Sequence, residues 1–124
     1  MKKILLTLLL TSSVAFAAVP CQNAKDIPSF SVCAYKYEET ATKTLNHTYK
    51  KALAAMEKEM PEYETGKTAS DYLIESQKLW VQQTEHECKN PAWNFGSSAS
   101  GAISLCRASK ATTREQELRK LYLR

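Results

Sequence analysis

Apolar residues recur at steps of three and four along the middle of the chain, which is the spacing of one face of an α-helix. The first such stripe consists of Cys33, Tyr37, Ala41, Leu45, Tyr49, Ala52 or Leu53, Met56 and Met60. Pro28 predicts a break ahead of this segment, with Ser29 or Ser31 as the N-cap. The first helix is therefore predicted to begin near Ser31, and Pro61 is predicted either to end it or to force a sharp bend after Met60.

The same periodicity returns twice after a polar linker around Gly66. A second helix is predicted to begin at an N-cap, Ser70, and to end before Asn90–Pro91. Its stripe is Leu73, Ser76 or Gln77, Trp80, Gln83 or Thr84, and Cys88. Turn-forming residues from Trp93 to Gly101 predict a loop, and a third helix is predicted from about Ala102 to Tyr122. The third stripe is Leu105 or Cys106, Ser109, Thr113, Leu118, and Leu121 or Tyr122.

Three helices joined by short polar segments predict an all-α fold, a three-helix up-down-up bundle. The stripes are weaker than those of a fully hydrophobic core. Four cysteines, Cys21, Cys33, Cys88 and Cys106, provide two disulfides that compensate for this weakness. Local pairing, Cys21–Cys33 with Cys88–Cys106, is favoured because each disulfide closes a short loop and would stabilise the fold by about 3 kcal/mol. The spacing alone leaves the crossed pairings open.

Residues 1–17 have the features of a cleavable secretory signal peptide. Lys2 and Lys3 form the basic start, and an apolar run follows that is too short to span a bilayer. Small residues at Ala15 and Ala17 mark a cleavage site, so the mature N-terminus is predicted to be Ala18. Residues 18–124 then form a single domain that is periplasmic or secreted, with no stable membrane anchor. Pro20 directly before Cys21 is a poor match to a lipoprotein signal.

Charge adds little to this picture. The precursor carries a net charge of +4, and removal of Lys2 and Lys3 leaves 15 basic residues against 13 acidic ones. A mature net charge of +2 is too small to predict a nucleic-acid partner. The cysteines contain no Cys-x-x-Cys pair, and His47 and His86 are not spaced as zinc ligands, so no metal site is predicted.

The ordered motifs resemble the LprI-type lysozyme inhibitor family across almost the whole mature chain. The family pattern is matched first by an early cysteine pair and by Leu45-Asn46-x-x-Tyr49. It is matched further along by Gln77-x-x-Trp80 leading to Cys88, and by Cys106 followed by Thr113-Arg114 and Leu118. The sequence departs from the family at Thr84-Glu85, where the pattern has Arg-Asp. The resemblance implies a small helical domain and a lysozyme as the protein partner.

No catalytic constellation or cofactor motif is present, so the protein is not predicted to be an enzyme, and no cofactor is expected. Trp80, Tyr49 and Tyr37 are interpreted as core or near-core residues at helical spacing. His47 and His86 are interpreted as solvated. The residues that remain for recognition lie between the third and fourth cysteines or directly after the fourth.

The candidate binding residues are Trp93, Phe95, Lys89 and Arg107. The two aromatic residues lie in the turn-rich segment, and the two cations adjoin Cys88 and Cys106. Aromatic anchors on a restrained loop suit partner binding, and the hypothesis is that this loop blocks the substrate cleft of a lysozyme. Two alternatives stay open: the aromatic side chains fold back over the end of the bundle, or the protein is an envelope interaction or immunity protein with another target.

Overall fold

A computed structural model describes residues 19–59 and 65–124. Within these ranges lie three α-helices and no strand: α1 (Ile27–Glu59), α2 (Ala69–Lys89) and α3 (Ala99–Tyr122). A 3-10 segment, Pro91–Ser98, connects α2 to α3. The predicted all-α class with three helices is confirmed. The predicted signal peptide and Pro61 lie outside the described residues.

Helix α1 begins about four residues before the predicted start. Asp26 acts as its N-cap, because the Asp26 Oδ1 atom accepts a hydrogen bond from the Ser29 backbone N–H at 2.8 Å. Pro28 lies inside the first turn, where its missing N–H would have no helical partner in any case. The prediction of a break at Pro28 was therefore wrong: this proline is at the helix start.

Helix α2 is capped by Thr68 rather than by the predicted Ser70. The Thr68 hydroxyl accepts a hydrogen bond from the Asp71 N–H, and the Asp71 carboxylate accepts one from the Thr68 N–H, which completes a capping box. The other end agrees with the prediction, since α2 stops at Lys89 with Asn90 as the C-cap and Pro91 next.

Contacts between helices establish the up-down-up arrangement. Contacts of α1 with α3 keep an almost constant offset in residue number, as in Ser31 with Ser100 and Thr48 with Glu115, so these helices are parallel. The α2–α3 contacts run in the opposite sense, with Gln77 against Arg114 and Glu85 against Arg107. The α1–α3 pair forms the main interface of the bundle.

The apolar core lies toward one end of the bundle. Its buried members are Leu45, Ala52, Leu73, Ala111 and Leu118. Trp80 and Tyr49 pack against it as half-buried residues, as predicted. Tyr37 is 49% exposed, so its assignment to the core was wrong. Repeated steps of four rotate a helical stripe by about 40° each time, and Tyr37 is thereby turned away from the face that Leu45 buries.

Small residues and the two disulfides occupy the other end. Cys21–Cys33 has a Cα–Cα distance of 5.8 Å and Cys88–Cys106 one of 5.5 Å, which confirms the local pairing. The side chains buried between α1 and α3 near this end are Ala34, Ser104 and Ala108. The predicted α3 stripe was wrong in its middle, because Ser109 and Thr113 are exposed.

Candidate functional site

The 3-10 segment Pro91–Ser98 lies at the disulfide end of the bundle. It was predicted as a loop that continued to Gly101, but it is helical up to a kink at Gly96, and α3 then starts at Ala99. Gly96 has φ of 55°, a left-handed conformation that glycine adopts without the steric cost of a side chain. The buried Ala92 and the Cys88–Cys106 disulfide fix the segment to the bundle.

The two aromatic residues of this segment are exposed. Trp93 is 77% exposed and Phe95 is 56% exposed. Trp93 therefore does not fold back over the end of the bundle. Phe95 borders a shallow, largely apolar depression of about 420 Å³ whose other lining residues are Phe30, Ser98, Ala102 and Leu105. The segment thus presents one projecting indole and one ring beside an apolar hollow.

The floor of this region depends on close contact between α1 and α3. A Cβ atom placed on Gly101 would lie 2.3 Å from Cε1 and 2.5 Å from Cδ1 of Phe30. Only glycine therefore lets the Phe30 ring rest against the first turn of α3. Sequence reasoning missed both residues, because an isolated glycine in a turn-rich stretch predicts a loop rather than a helix contact.

Arg107 is held by carboxylates from two other helices. Its Nε donates to Oε1 of Glu85 at 2.8 Å, and its Nη2 donates to Oε2 of Glu85 at 2.9 Å. Its Nη1 donates to Glu38 at 3.4 Å. Lys89 forms a further ion pair with Glu85 at 2.9 Å. The two cations expected at the ends of the loop thus share one carboxylate.

The electrostatics of this cluster follow from those contacts. Hydrogen bonds from Arg107 and then from Lys89 lower the pKa of Glu85 to about 2. The same Glu85 contact raises the pKa of the Arg107 guanidinium. Arg107 is 30% exposed, and three of its nitrogens donate to the carboxylates of Glu85 and Glu38, whereas the Lys89 side chain is 60% exposed. Lys89 is therefore the more accessible of the two cations beside the 3-10 segment.

The stretch between these cations carries no charge. Residues 90–106 contain no Asp, Glu, Lys, Arg or His. Trp93 and Phe95 therefore lie in an uncharged stretch, a neutral patch in sequence, with Lys89 directly before it and Arg107 directly after it. An uncharged aromatic patch can be desolvated on binding at little cost, because no ion loses its hydration.

The remaining residues considered in the sequence either contact neighbouring helices or are exposed to solvent. Thr84 is buried and Glu85 holds Arg107, so the positions where the family pattern has Arg-Asp are part of the interhelical contacts here. His47 and His86 are exposed. Within residues 19–59 and 65–124, no three His, Cys, Asp or Glu side chains are grouped so that they could hold a metal ion.

The fold and its two disulfides define a small disulfide-stabilised helical protein, a class typical of oxidising compartments outside the cytoplasm. The family model for lysozyme inhibitor LprI matches residues 21–118, and the chain therefore belongs to this family. Comparison with curated proteins and with solved structures gave no significant match.

Family membership has three direct implications. It implies that the protein is a lysozyme inhibitor rather than an enzyme, and that its partner is a protein, a lysozyme. Together with the disulfides it indicates an extracytoplasmic location. None of the helices in the described ranges is both long enough and apolar enough to cross a membrane.

Proposed function

We propose that the protein inhibits a lysozyme by placing the 3-10 segment Pro91–Ser98 in the substrate cleft of the enzyme. The observation that carries this proposal is the 77% exposure of Trp93 on a segment tied to the bundle by Cys88–Cys106. A large aromatic side chain that contributes nothing to its own fold is available to a partner. Tryptophan is also among the residues that contribute most to the energy of protein interfaces.

The chemistry of the target supports this site. A lysozyme cleft contains two carboxyl groups and is shaped to receive a neutral sugar chain. The neutral patch around Trp93 and Phe95 enters such a cleft without bringing in a carboxylate that would be repelled. Lys89 at the edge supplies a cation for an acidic group of the enzyme. Arg107 acts indirectly, because its bond to Glu85 fixes α2 against α3 at the two ends of the segment.

Preorganisation supports the same assignment. The disulfide and the buried Ala92 hold the segment before binding, which lowers the conformational entropy lost on association. The mature net charge of about +2 provides little long-range attraction. We therefore expect the association rate to depend only weakly on salt.

Export is part of the proposal. Cleavage after Ala17 places the domain where a lysozyme is encountered and where both disulfides form. Intact mass spectrometry of the protein isolated from the periplasm or medium tests this. We expect the mass of residues 18–124 with two disulfides, and a diacylglyceryl addition on Cys21 or a retained leader would contradict it.

The decisive experiment replaces Trp93 with alanine and measures inhibition of lysozyme in a cell-wall turbidity assay. We expect the inhibition constant to rise by about 30-fold, which corresponds to about 2 kcal/mol. The midpoint of thermal unfolding should stay close to that of wild type, because the indole is exposed. The matched control is Leu79→Ala, which removes a 66% exposed side chain from α2 and should leave inhibition unchanged.

Two results would count against this site. A stable Trp93→Ala protein with full inhibition would remove the segment from the interface. A wild-type protein that inhibits no lysozyme in a panel of different lysozyme classes would favour the alternative, an envelope interaction or immunity protein with another target.

A further inference from the structure

The outer face of α1 carries a row of basic side chains, in contrast to the uncharged 3-10 segment. Residues seven apart in an α-helix differ by only about 20° in direction, so Lys36, Lys43 and Lys50 lie in one row. His47, Lys51 and Lys58 lie beside this row, and all six side chains are exposed. These six side chains, Lys36, Lys43, His47, Lys50, Lys51 and Lys58, form the basic face of α1.

This basic face points away from the bundle. The buried residues of α1 are Ala34, Leu45, Thr48 and Ala52. At 100° per residue, their mean direction is about 175° from that of the row Lys36–Lys43–Lys50. Neither α2 nor α3 covers the row, and its three lysines are exposed among the described residues.

Several carboxylates of the other helices are already paired. Glu85 and Glu87 of α2 are bound to Arg107 and Lys110 of α3, and Glu115 is bound to Arg119 within α3. On the basic face the pairing is different: Lys43 has a partner, Glu39, at 3.4 Å, and both side chains are exposed. Such a pair contributes little and is easily exchanged.

The remaining lysines of the face are unpaired within the described structure. Lys36, Lys50, Lys51 and Lys58 have no carboxylate of residues 19–59 or 65–124 within ion-pair distance. Glu57, seven residues after Lys50, continues the row itself, so the face combines five lysines with two carboxylates, Glu39 and Glu57. The small overall net charge therefore hides a local excess of positive charge.

We propose that the basic face binds a linear polyanion whose charges are phosphate groups. From Lys36 to Lys58 the face is about 33 Å long at 1.5 Å per residue, which suits an extended chain rather than a single small ion. The residues between the lysines include Thr40 and Ala54, which offer no large apolar group for insertion into a bilayer. This binding is independent of the proposed inhibition, because none of the six residues lies on the 3-10 segment or lines the hollow beside Phe95.

The experiment measures binding of inorganic polyphosphate to the mature protein at about 50 mM salt. The test variant is Lys36→Gln/Lys43→Gln/Lys50→Gln. The matched control is Lys25→Gln/Lys78→Gln/Lys120→Gln, which removes the same charge from three exposed lysines outside the face. We expect the test variant to bind at least about tenfold more weakly and the control to stay within about threefold of wild type. Raising the salt should weaken wild-type binding steeply.

Three outcomes would overturn the proposal. Wild-type protein without saturable binding at low salt would show that the face has no such ligand. Equal losses in the two variants would show that only net charge matters. Binding to phosphatidylglycerol vesicles but not to polyphosphate would assign the face to a membrane surface. Turbidity assays of the test variant separate this result from inhibition, which should be unchanged.

Discussion

Arg107 and Glu85 form a bidentate pair that joins α3 to α2, with both carboxylate oxygens of Glu85 accepting N–H donors at 2.8 and 2.9 Å. The same guanidinium reaches Glu38 on α1 at 3.4 Å. One side chain of α3 therefore contacts both of the other helices. Paired donors and acceptors of this kind fix orientation as well as distance.

The pair should make stability depend on acidity. The pKa of Glu85 is about 2 in the folded protein, against 4.5 ordinarily, so its charged form favours folding. This contribution is fully present above about pH 4.5 and is lost as the pH falls toward 2. Glu85→Gln should lower the free energy of unfolding by about 1 kcal/mol at pH 7, since 37% exposure allows solvent to screen the pair.

Urea unfolding of both proteins from pH 7 to pH 2.5 measures this effect. The difference between wild type and Glu85→Gln should shrink as the pH falls, and a difference that grows would contradict the assignment. Glu75→Gln is the control at pH 7, because it removes an exposed pair with Lys67 and should cost less stability than Glu85→Gln.

The Phe30–Gly101 contact predicts an unusual cost for a helix-favouring substitution. Gly101→Ala should gain up to about 1 kcal/mol from helix propensity. It should lose about 1–3 kcal/mol from the clash with the Phe30 ring, with a net loss of stability. In a Phe30→Ala background the clash is absent, and Gly101→Ala should then be neutral or stabilising. Denaturant unfolding of the four proteins measures the coupling, and additive effects would show that no clash exists.

The two disulfides should contribute similarly to stability but differently to inhibition. They close loops with separations of 12 and 18 residues, and each is expected to contribute about 3 kcal/mol. Cys88→Ser/Cys106→Ser should weaken inhibition because it frees the segment that carries Trp93. Cys21→Ser/Cys33→Ser should retain inhibition when assayed well below its unfolding temperature. Equal inhibition by the two variants would contradict the role of the second disulfide.

A buried hydrogen bond between α1 and α3 provides a further test. Thr48 donates to Oε1 of Glu115 at 2.7 Å, and both residues are buried. Thr48→Val keeps the volume but removes the donor, and should cost about 1–3 kcal/mol. Thr48→Val/Glu115→Met should lose less than the sum of the two single losses, because the Thr48–Glu115 bond is lost in each single variant and can be lost only once in the double variant. Thermal unfolding of the four proteins decides this, and strictly additive losses would contradict it.

The predictions from sequence were most accurate where one residue determines local structure. Asn90–Pro91 ended α2 as expected, and loop length led to the observed disulfide pairing. Helix starts were less accurate because several residues competed as caps. Asp26 and Thr68 act as N-caps in place of the predicted serines. Each side chain accepts a hydrogen bond from the backbone N–H three residues later, in the first turn of its helix.

Helix α3 was the hardest element to interpret, for a physical reason. Its buried residues include Gly101, Ser104, Arg114 and Glu115, which an apolar stripe does not reveal. Arg114 and Glu115 are buried because partners on α2 and α1 satisfy them, and such partners are distant in sequence. The bond of Arg107 to Glu85 was missed for the same reason. The positions of Trp93 and Phe95 along the chain were evident, but their exposure depends on how the 3-10 segment packs.

The separation of the apolar core from the disulfide end has a consequence for variation. The cluster around Leu73 and Leu118 supplies packing at one end, while covalent bonds hold the other. The exposed residues of the 3-10 segment therefore contribute little to the stability of the fold. Such a segment can accept new side chains at Trp93, Asn94 and Phe95 with little risk of unfolding. The bundle is in this respect a scaffold on which selection, natural or experimental, can retune the choice of target.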